Sequence, residues 1–290
     1  MLEDSRPQTF SDLVRISGFS HGTNVWLDNA QDLIKNGTCK LNEAISTRDD
    51  VMNFLIHRGM DRKHSFFVME NVRKGKGIEK RNKQGQATTE FEAEMRENNI
   101  PEWFIESCKK ISYLFPRAHA VAYVMMAFRI AWFKVYHPLA FYAAYFSIRA
   151  KAFDLRIMTG DLKTQMTEFN RIKALDRGAS PKDKDLMSAL EVSMEMYQRG
   201  YRFVNVDIQH SEARRFSIKD GALLPPFLAI DSLGEIVADA IVAEREERPF
   251  TSLKDLQRRC KVSNTIIDLM KELKCCGELP EDEQMSLFGA

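Results

Sequence analysis

The chain has 290 residues, 44% of them apolar, and its 42 Lys and Arg nearly cancel its 41 Asp and Glu to leave a formal charge of +1. That length and apolar share can bury one large core or two modest ones, and the near-neutral balance excludes nucleic-acid binding through bulk charge, so any such contact must come from local basic patches. The five cysteines, Cys39, Cys108, Cys260, Cys275 and Cys276, form no C-x-x-C pair and have no histidine at zinc spacing, which argues against a structural metal site and for reduced thiols. The polar start MLEDSRPQTF has no signal-peptide pattern, so a cytoplasmic protein is expected.

In chain order, Thr9 to Ile16 is predicted as a short helix with Asp12 and Arg15 on its wet side, followed by a small-residue turn from Ser17 to Thr23. Glycines there would let backbone amides approach a phosphate or a base, and Ser20, His21 and Thr23 can each donate a hydrogen bond; an ordinary loop is the alternative. Asp49 to His57 has helical spacing with acids in its first turn, where the helix dipole favours them, and Arg58-Gly59 ends it. A guanidinium at that end either offsets the dipole or forks onto a phosphate, with Arg62 and Lys63 close behind. After a helix from Ser65 to Asn71, the run Val72 to Gly77 sets Arg73, Lys74 and Lys76 among two glycines. This is either a solvated basic loop or one suited to a nucleic-acid backbone. Glu79 to Thr89 has no periodicity and is expected to be a loop without chemistry, with helices following from Glu90 to Asn98 and from Pro101 to Leu114, Pro101 being a good first helical residue.

The stretch FPRAHAVAYVMMAFRIAWFKVYHPLAFYAAYFSIRA, Phe115 to Ala150, stands apart. From Ala120 to Tyr136 only Arg129 and Lys134 interrupt the apolar run, so the predicted helix has no polar stripe and should be covered on most sides. About 17 residues with two internal cations fall short of a bilayer span, and a place inside a soluble protein is expected, without a membrane. His119 and Tyr123, four apart, share a helical face with Met126 and Ala127, either as core groups or as an imidazole and a ring presented to a cleft. Pro138 should break the helix before a second run from Leu139 to Ile148.

Further on, Leu162, Met166, Phe169 and Ile172 mark one amphipathic helix, and Leu186, Leu190, Met194 and Tyr197 mark another from Pro181 to Tyr197. Asp183-Lys184-Asp185 has the form of a two-metal carboxylate pair but no apolar strand around it, so it reads as a solvated helix start. Tyr201 to Leu224 alternates as a small sheet with a hairpin at Lys219-Asp220-Gly221. Ala229 to Ile241 resembles a helix-hairpin-helix, with Ser232 where its first glycine usually stands, and Phe250 to Leu256 with Val262 to Ile267 resemble a more degenerate copy. Such a hairpin either meets a phosphate through Leu233 and Gly234 or serves packing alone. The fold class expected is mainly α.

These motifs together carry a resemblance. The Phe115–Phe146 stretch, ISGFSHGTNVWLDNAQDLIKNGTC, the VRKGKG run, FEAEMRENNIPEWFIESCKKI and the segment from LLPPFLAI to the last residues are similar to the C-terminal part of the PolC type of C-family DNA polymerase III alpha subunits. The resemblance covers nearly the whole chain. It implies helical polymerase fingers over residues 1–198, a small sheet with tandem helix-hairpin-helix over 199–278, and a flexible tail over 279–290. It also implies that Arg58 contacts the triphosphate of an incoming dNTP, that Tyr123 lies near its base or sugar with Ser20 and His21 beside the base, that His119 is a further nucleotide-binding residue, and that Arg73, Lys74, Lys76, Leu233 and Gly234 face template-primer DNA. Gln284-Met285-Ser286-Leu287-Phe288 resembles the peptide by which bacterial polymerases dock on the beta sliding clamp, a compact apolar anchor on a tether. The Mg2+ ions of the complete polymerase are implied to be held by an upstream palm-bearing part, so no catalytic or metal-ligating residue is expected here. The alternative is a standalone clamp-tethered DNA-binding module with no nucleotide pocket.

Overall fold

A computed structural model describes residues 1–282. The chain divides into two compact units, Met1–Arg129 and a second beginning at Ile130.

The first unit holds α1 (Leu2–Ser5), α2 (Phe10–His21), α3 (Gln31–Lys35), α4 (Arg48–His57), α5 (Arg62–Arg73), α6 (Phe91–Glu97), α7 (Glu102–Lys110) and the start of α8 (Arg117–Tyr136). Its core gathers Phe19, Trp26, Ile45, Val51, Leu55, Val72, Phe104, Ile105 and Leu114. Two helices start where a hydroxyl and an acid satisfy orphan amides reciprocally: Thr9 with Asp12 at α2, and Thr47 with Asp50 at α4. The turn expected at Ser17–Thr23 is not there, because α2 runs on to His21 and Gly22 ends it. The reason is packing: a Cβ on Gly18 would lie 2.5 Å from the Ser46 carbonyl oxygen, so this glycine permits close approach and not a bend. Similarly, α5 begins earlier than expected, with the Asp61 carboxylate accepting from the Lys63 and His64 amides, and includes Arg73 in its last turn. Pro101 is the cap before α7 and not its first residue, and α7 stops at Lys110.

The second unit completes α8 and adds α9 (Pro138–Ile148), α10 (Leu155–Met158), α11 (Leu162–Ala174), α12 (Pro181–Gln198), the hairpin β1 (Ser217–Lys219) with β2 (Ala222–Leu224), and α13 (Glu235–Glu247), α14 (Leu253–Cys260) and α15 (Asn264–Glu272). The strands are antiparallel, with Ile218 opposite Leu223. Phe203 joins them by a single bridge to Leu223, so the expected strand through Ile208 is reduced to one pairing. One core surrounds Tyr142, Phe146, Ile172, Leu190, Met196 and Phe203; the other surrounds Ile208, Phe227, Ile241, Leu256, Ile267 and Met270 beneath α13 to α15. Tyr142 is fully buried, donates to Glu195 Oε2 at 2.8 Å and accepts from Arg199 Nη1 at 3.2 Å, which ties α9 to α12. The four aromatic rings of Phe146, Phe153, Phe203 and Phe216 pack edge-on and tilted in one cluster.

The prediction for α8 requires correction. The helix forms as expected, but Ala120 is its one buried residue among those described. An apolar run states that a surface will be covered; it does not state that the cover lies in the same stretch of chain. Length and apolarity suffice for α8 to cross a membrane, though Arg129 and Lys134 interrupt it.

Candidate functional site

Between α7 and α8 the chain extends through Ser112–Pro116, and three distant segments of the first unit hydrogen-bond to it. Thr23 N–H donates to the Tyr113 carbonyl at 3.0 Å and the Ser112 N–H donates back to Thr23 at 3.1 Å. Leu114 N–H donates to the Arg73 carbonyl at 3.3 Å, and Arg48 N–H to the Phe115 carbonyl at 3.2 Å. Gly75, at φ +66°, is tight against the same segment: a Cβ there would meet the Ser112 oxygen at 2.5 Å. Five residues thus hold together the end of α2, the start of α4 and the basic turn after α5.

A row of rings runs along one side of this junction. His21 stacks on Phe115 at 4.9 Å between centroids, Phe115 meets His119 edge-on at 5.1 Å, and His119 meets Tyr123 at 4.7 Å. Ser20 sits beside the row, its hydroxyl donating to the Ser17 carbonyl at 3.0 Å and lying 3.0 Å from His21 Nδ1. The structure therefore brings Ser20, His21, His119 and Tyr123 together, on a face where His21, His119 and Tyr123 are exposed. Exposed rings with hydroxyl and imidazole groups beside them can receive a base on their faces and hydrogen-bond its edge.

Sequence reasoning missed what holds this row. Asp49 Oδ2 accepts the Arg117 N–H at 2.9 Å and so anchors the first turn of α8. Asp50 accepts from the Ser46 and Thr47 amides at 3.0 and 2.8 Å, and Arg15 approaches it to 3.5 Å. The signal was visible as acids in the first turn of α4, but a dipole argument gave them no distant partner. Phe115, the ring that links α2 to α8, was legible only as one apolar residue among many.

Arg58 lies apart. It caps the far end of α4, with its guanidinium 5.3 Å from the Phe54 ring centroid and Nη1 3.4 Å from the Asn99 carbonyl. At 1.5 Å rise per residue it stands roughly 14 Å along the helix from Asp49. Arg58 is thus not brought together with Ser20, His21, His119 and Tyr123.

The basic turn is less free than its composition suggests. Arg73 Nε and Nη2 reach Glu70 at 2.8 and 2.9 Å, and Lys74 Nζ reaches the same carboxylate at 3.0 Å. The Arg73 fork, with Lys74 beside it, holds the Glu70 carboxyl down to about 2. Lys76 has no ion pair among the described residues. In the second unit, Ser232 takes the left-handed conformation at φ 63° that glycine would otherwise supply, and Gly234 is the cap of α13. The Leu233 side chain is buried and its N–H donates to the Ile230 carbonyl at 3.2 Å, so Leu233 serves the core, and of the two Gly234 is the exposed residue. Beside this hairpin, residues including Lys151, Arg156, Lys182, Ser232 and Leu233 line a cavity of about 670 Å³.

The carboxylate pairs do not fit a metal. Asp49 and Asp50 are engaged as described, and Asp183 accepts from Ser180 Oγ at 2.6 Å in a capping box while Arg171 approaches it to 3.4 Å. Among the described residues no three His, Cys, Asp or Glu side chains stand together as ligands. The peptide Gln284, Met285, Ser286, Leu287 and Phe288 lies outside the described residues.

Residues 1–99 match the family model of the bacterial DNA polymerase III alpha subunit finger domain, and residues 200–284 match the helix-hairpin-helix motif. Over 288 residues, 99% of its length, the chain is 50% identical to DNA polymerase III PolC-type from Bacillus subtilis (strain 168) and 52% identical to that of Thermotoga maritima. It matches the C-terminal part of PolC-type DNA polymerase III. The protein of that name from Listeria monocytogenes is 51% identical over 99% of the chain. The chain spans about a fifth of the length of these relatives, 20% of the Thermotoga protein and 19% of the Bacillus one.

Proposed function

We propose that this chain is the nucleotide- and DNA-facing C-terminal portion of a replicative DNA-directed DNA polymerase of the PolC type, a cytoplasmic nucleotidyltransferase whose metal-binding palm lies in an upstream part. The observation that carries this reading is the junction at Ser112–Pro116, which sets the ring row of His21, Phe115, His119 and Tyr123 beside the basic turn of Arg73, Lys74 and Lys76. A ring row suits a base and a basic turn suits a phosphate backbone, and their adjacency supports a site where an incoming dNTP meets template-primer DNA. Tyr123 and His119 take the base or sugar side, Ser20 and His21 the base edge, and Arg58 is assigned to the triphosphate. Mg2+ supplies nucleotidyl-transfer chemistry in the complete enzyme through ligands outside this chain. Gly234 adds a phosphate contact at the hairpin, and Gln284–Phe288 docks on the beta sliding clamp.

The test is binding of the 290-residue chain to a primer-template duplex across a salt series, with dNTP cross-linking to Tyr123 in parallel. Affinity should fall steeply with salt and little with sequence, and Lys76→Ala should lower the salt slope by roughly one unit. A salt-independent affinity together with no cross-link at Tyr123 would leave the basic turn a solvated face and the ring row a packing feature.

A further inference from the structure

Residues 79–89 have no periodicity in sequence, yet they fold back on themselves as a hairpin. Arg81 and Ala87 pair as an antiparallel bridge, Asn82 N–H donates to the Gln86 carbonyl at 2.9 Å, and Thr88 N–H donates to the Lys80 carbonyl at 2.7 Å. The tip closes at Gly85, φ +80°, whose carbonyl accepts from Arg81 Nη1 at 2.8 Å, while Asn82 Oδ1 accepts from the Gln84 and Gln86 amides at 3.0 and 2.9 Å. Its root is pinned to the first unit. Ile78 is buried, Asn71 Nδ2 donates to the Ile78 carbonyl at 3.2 Å, and Lys80 Nζ lies 3.8 Å from the Phe67 ring centroid. These internal bonds offset the entropy of ordering the segment before any partner arrives.

What the hairpin displays is cationic and polar. Glu79, the one acid of the segment, is turned to the root, where it accepts from the Thr89 hydroxyl and from the Glu92 N–H at 2.6 Å. From residue 80 to 89 there is no acid and no aromatic ring, and Ala87 is the one apolar side chain. Arg81 and Lys83 are exposed, and neither has an ion pair among the described residues. Arg81 commits one nitrogen to Gly85 and keeps its other donors.

That composition narrows the partner. Apolar and aromatic anchors form the core of a protein interface, and this hairpin offers none. For the same reason a longer chain gains nothing by taking it into a core, where its cations would be buried unpaired. Single strands are held by stacking their bases on rings, which the hairpin lacks. A duplex phosphate backbone remains. A two-stranded ribbon fits the major groove of B-form DNA, whereas the major groove of A-form RNA is too narrow to admit it. The hairpin also continues the basic turn, since Lys76 stands four positions before Lys80. Resting on the proposed function, which supplies the duplex, we propose that residues 80–88 make a second duplex-DNA contact, the ribbon lying in the major groove with Arg81 and Lys83 on phosphates that border it.

The test titrates the 290-residue chain with primer-template DNA by fluorescence anisotropy across a salt series, beside Lys83→Glu, Lys83→Arg and the double variant Arg81→Ala with Lys83→Ala. The double variant should lose about tenfold or more in affinity at low salt, and its salt slope should fall by roughly two units. Lys83→Glu, which removes no bond of the hairpin, should lose about as much, and Lys83→Arg should stay within about twofold of the parent. Two further substrates are the single strand alone and a duplex whose major groove is filled by glucosylated hydroxymethylcytosine. On both, the gap between parent and double variant should shrink below about twofold. Removing two cations from the second unit, Lys163→Ala with Lys184→Ala, should leave the slope unchanged. An unchanged slope in the double variant, an equal loss in that control, or a gap that persists on the single strand or the filled groove would each overturn the inference. Absence of duplex binding and of a Tyr123 cross-link in the parent would instead overturn the functional reading, whereas parent binding that the double variant keeps in full removes the hairpin contact alone.

Discussion

Two residues show how single groups fix the geometry. Gly18 sits inside α2 where the Ser46 backbone passes, and a methyl group there would stand 2.5 Å from a carbonyl oxygen that cannot rotate away. Gly18→Ala should cost about 1–3 kcal/mol through forced backbone shifts, seen as faster amide hydrogen exchange in α2 and α4 with α14 and α15 unaffected. Asp255 is buried at the start of α14, with Arg248 at 3.3 Å, Arg258 at 2.9 Å and Arg259 at 3.3 Å. Burial pushes its carboxyl up, but the Thr251 amide and the arginines outweigh burial and hold it below the ordinary aspartate range. A carboxyl depressed on folding contributes stability that is full above its unfolded value near 3.8 and lost as pH falls through the lower folded value. Asp255→Asn should therefore speed exchange in α14 and α15 at neutral pH by an amount equivalent to about 1–3 kcal/mol. The gap to the parent should close only as the pH drops below about 4.

At the scale of an element, α5 and its basic turn act as a unit governed by Glu70. Because one carboxylate engages both Arg73 and Lys74, only Lys76 of the three cations is unpaired, and the turn presents less charge than its composition implies. Glu70→Gln should release both cations, raise duplex affinity several-fold and steepen the salt slope, as read by fluorescence anisotropy. An unchanged slope would mean that these cations do not face DNA. α4 acts as a strut in the same sense: its first turn anchors α8 through Asp49 while Arg58 caps its far end, so the distance between ring row and guanidinium is set by helix length alone.

For the whole molecule, no three His, Cys, Asp or Glu side chains among the described residues stand together as metal ligands, and the proposed reading assigns the metal-held chemistry of nucleotidyl transfer to a palm-bearing part outside this chain. The purified chain with Mg2+ should extend no primer, and extension should appear when the palm-bearing part is supplied; extension by the chain alone would refute the proposed division of labour. In that reconstituted enzyme Arg58→Ala should weaken nucleotide use much more than DNA binding, since each charged hydrogen bond to phosphate is worth roughly 1.5–3 kcal/mol. Replacing Leu287 and Phe288 with alanine should remove most affinity for the sliding clamp, each anchor being worth about 2 kcal/mol or more, with surface plasmon resonance against clamp as the measure.

By itself the sequence determined which stretches are helical, because that rests on local rules such as apolar spacing, acids in the first turn of α4, Pro138 opening α9 and Lys219-Asp220-Gly221 turning the hairpin, whereas the end of α2, the start of α5 and the end of α7 departed from it. It also determined the relationship to PolC-type polymerases, which long specific runs of residues carry. Tertiary structure alone decided which of those residues meet. Gly18 reads as a turn former until Ser46 is placed beside it, Glu70 as one more surface acid until it engages two cations of the turn, and Phe115 as a core residue until His21 and His119 lie on either side of it. The physical reason is that caps and periodicity act within a few residues, whereas Ser112–Pro116 is built by hydrogen bonds from segments up to about ninety positions away, which no local pattern encodes.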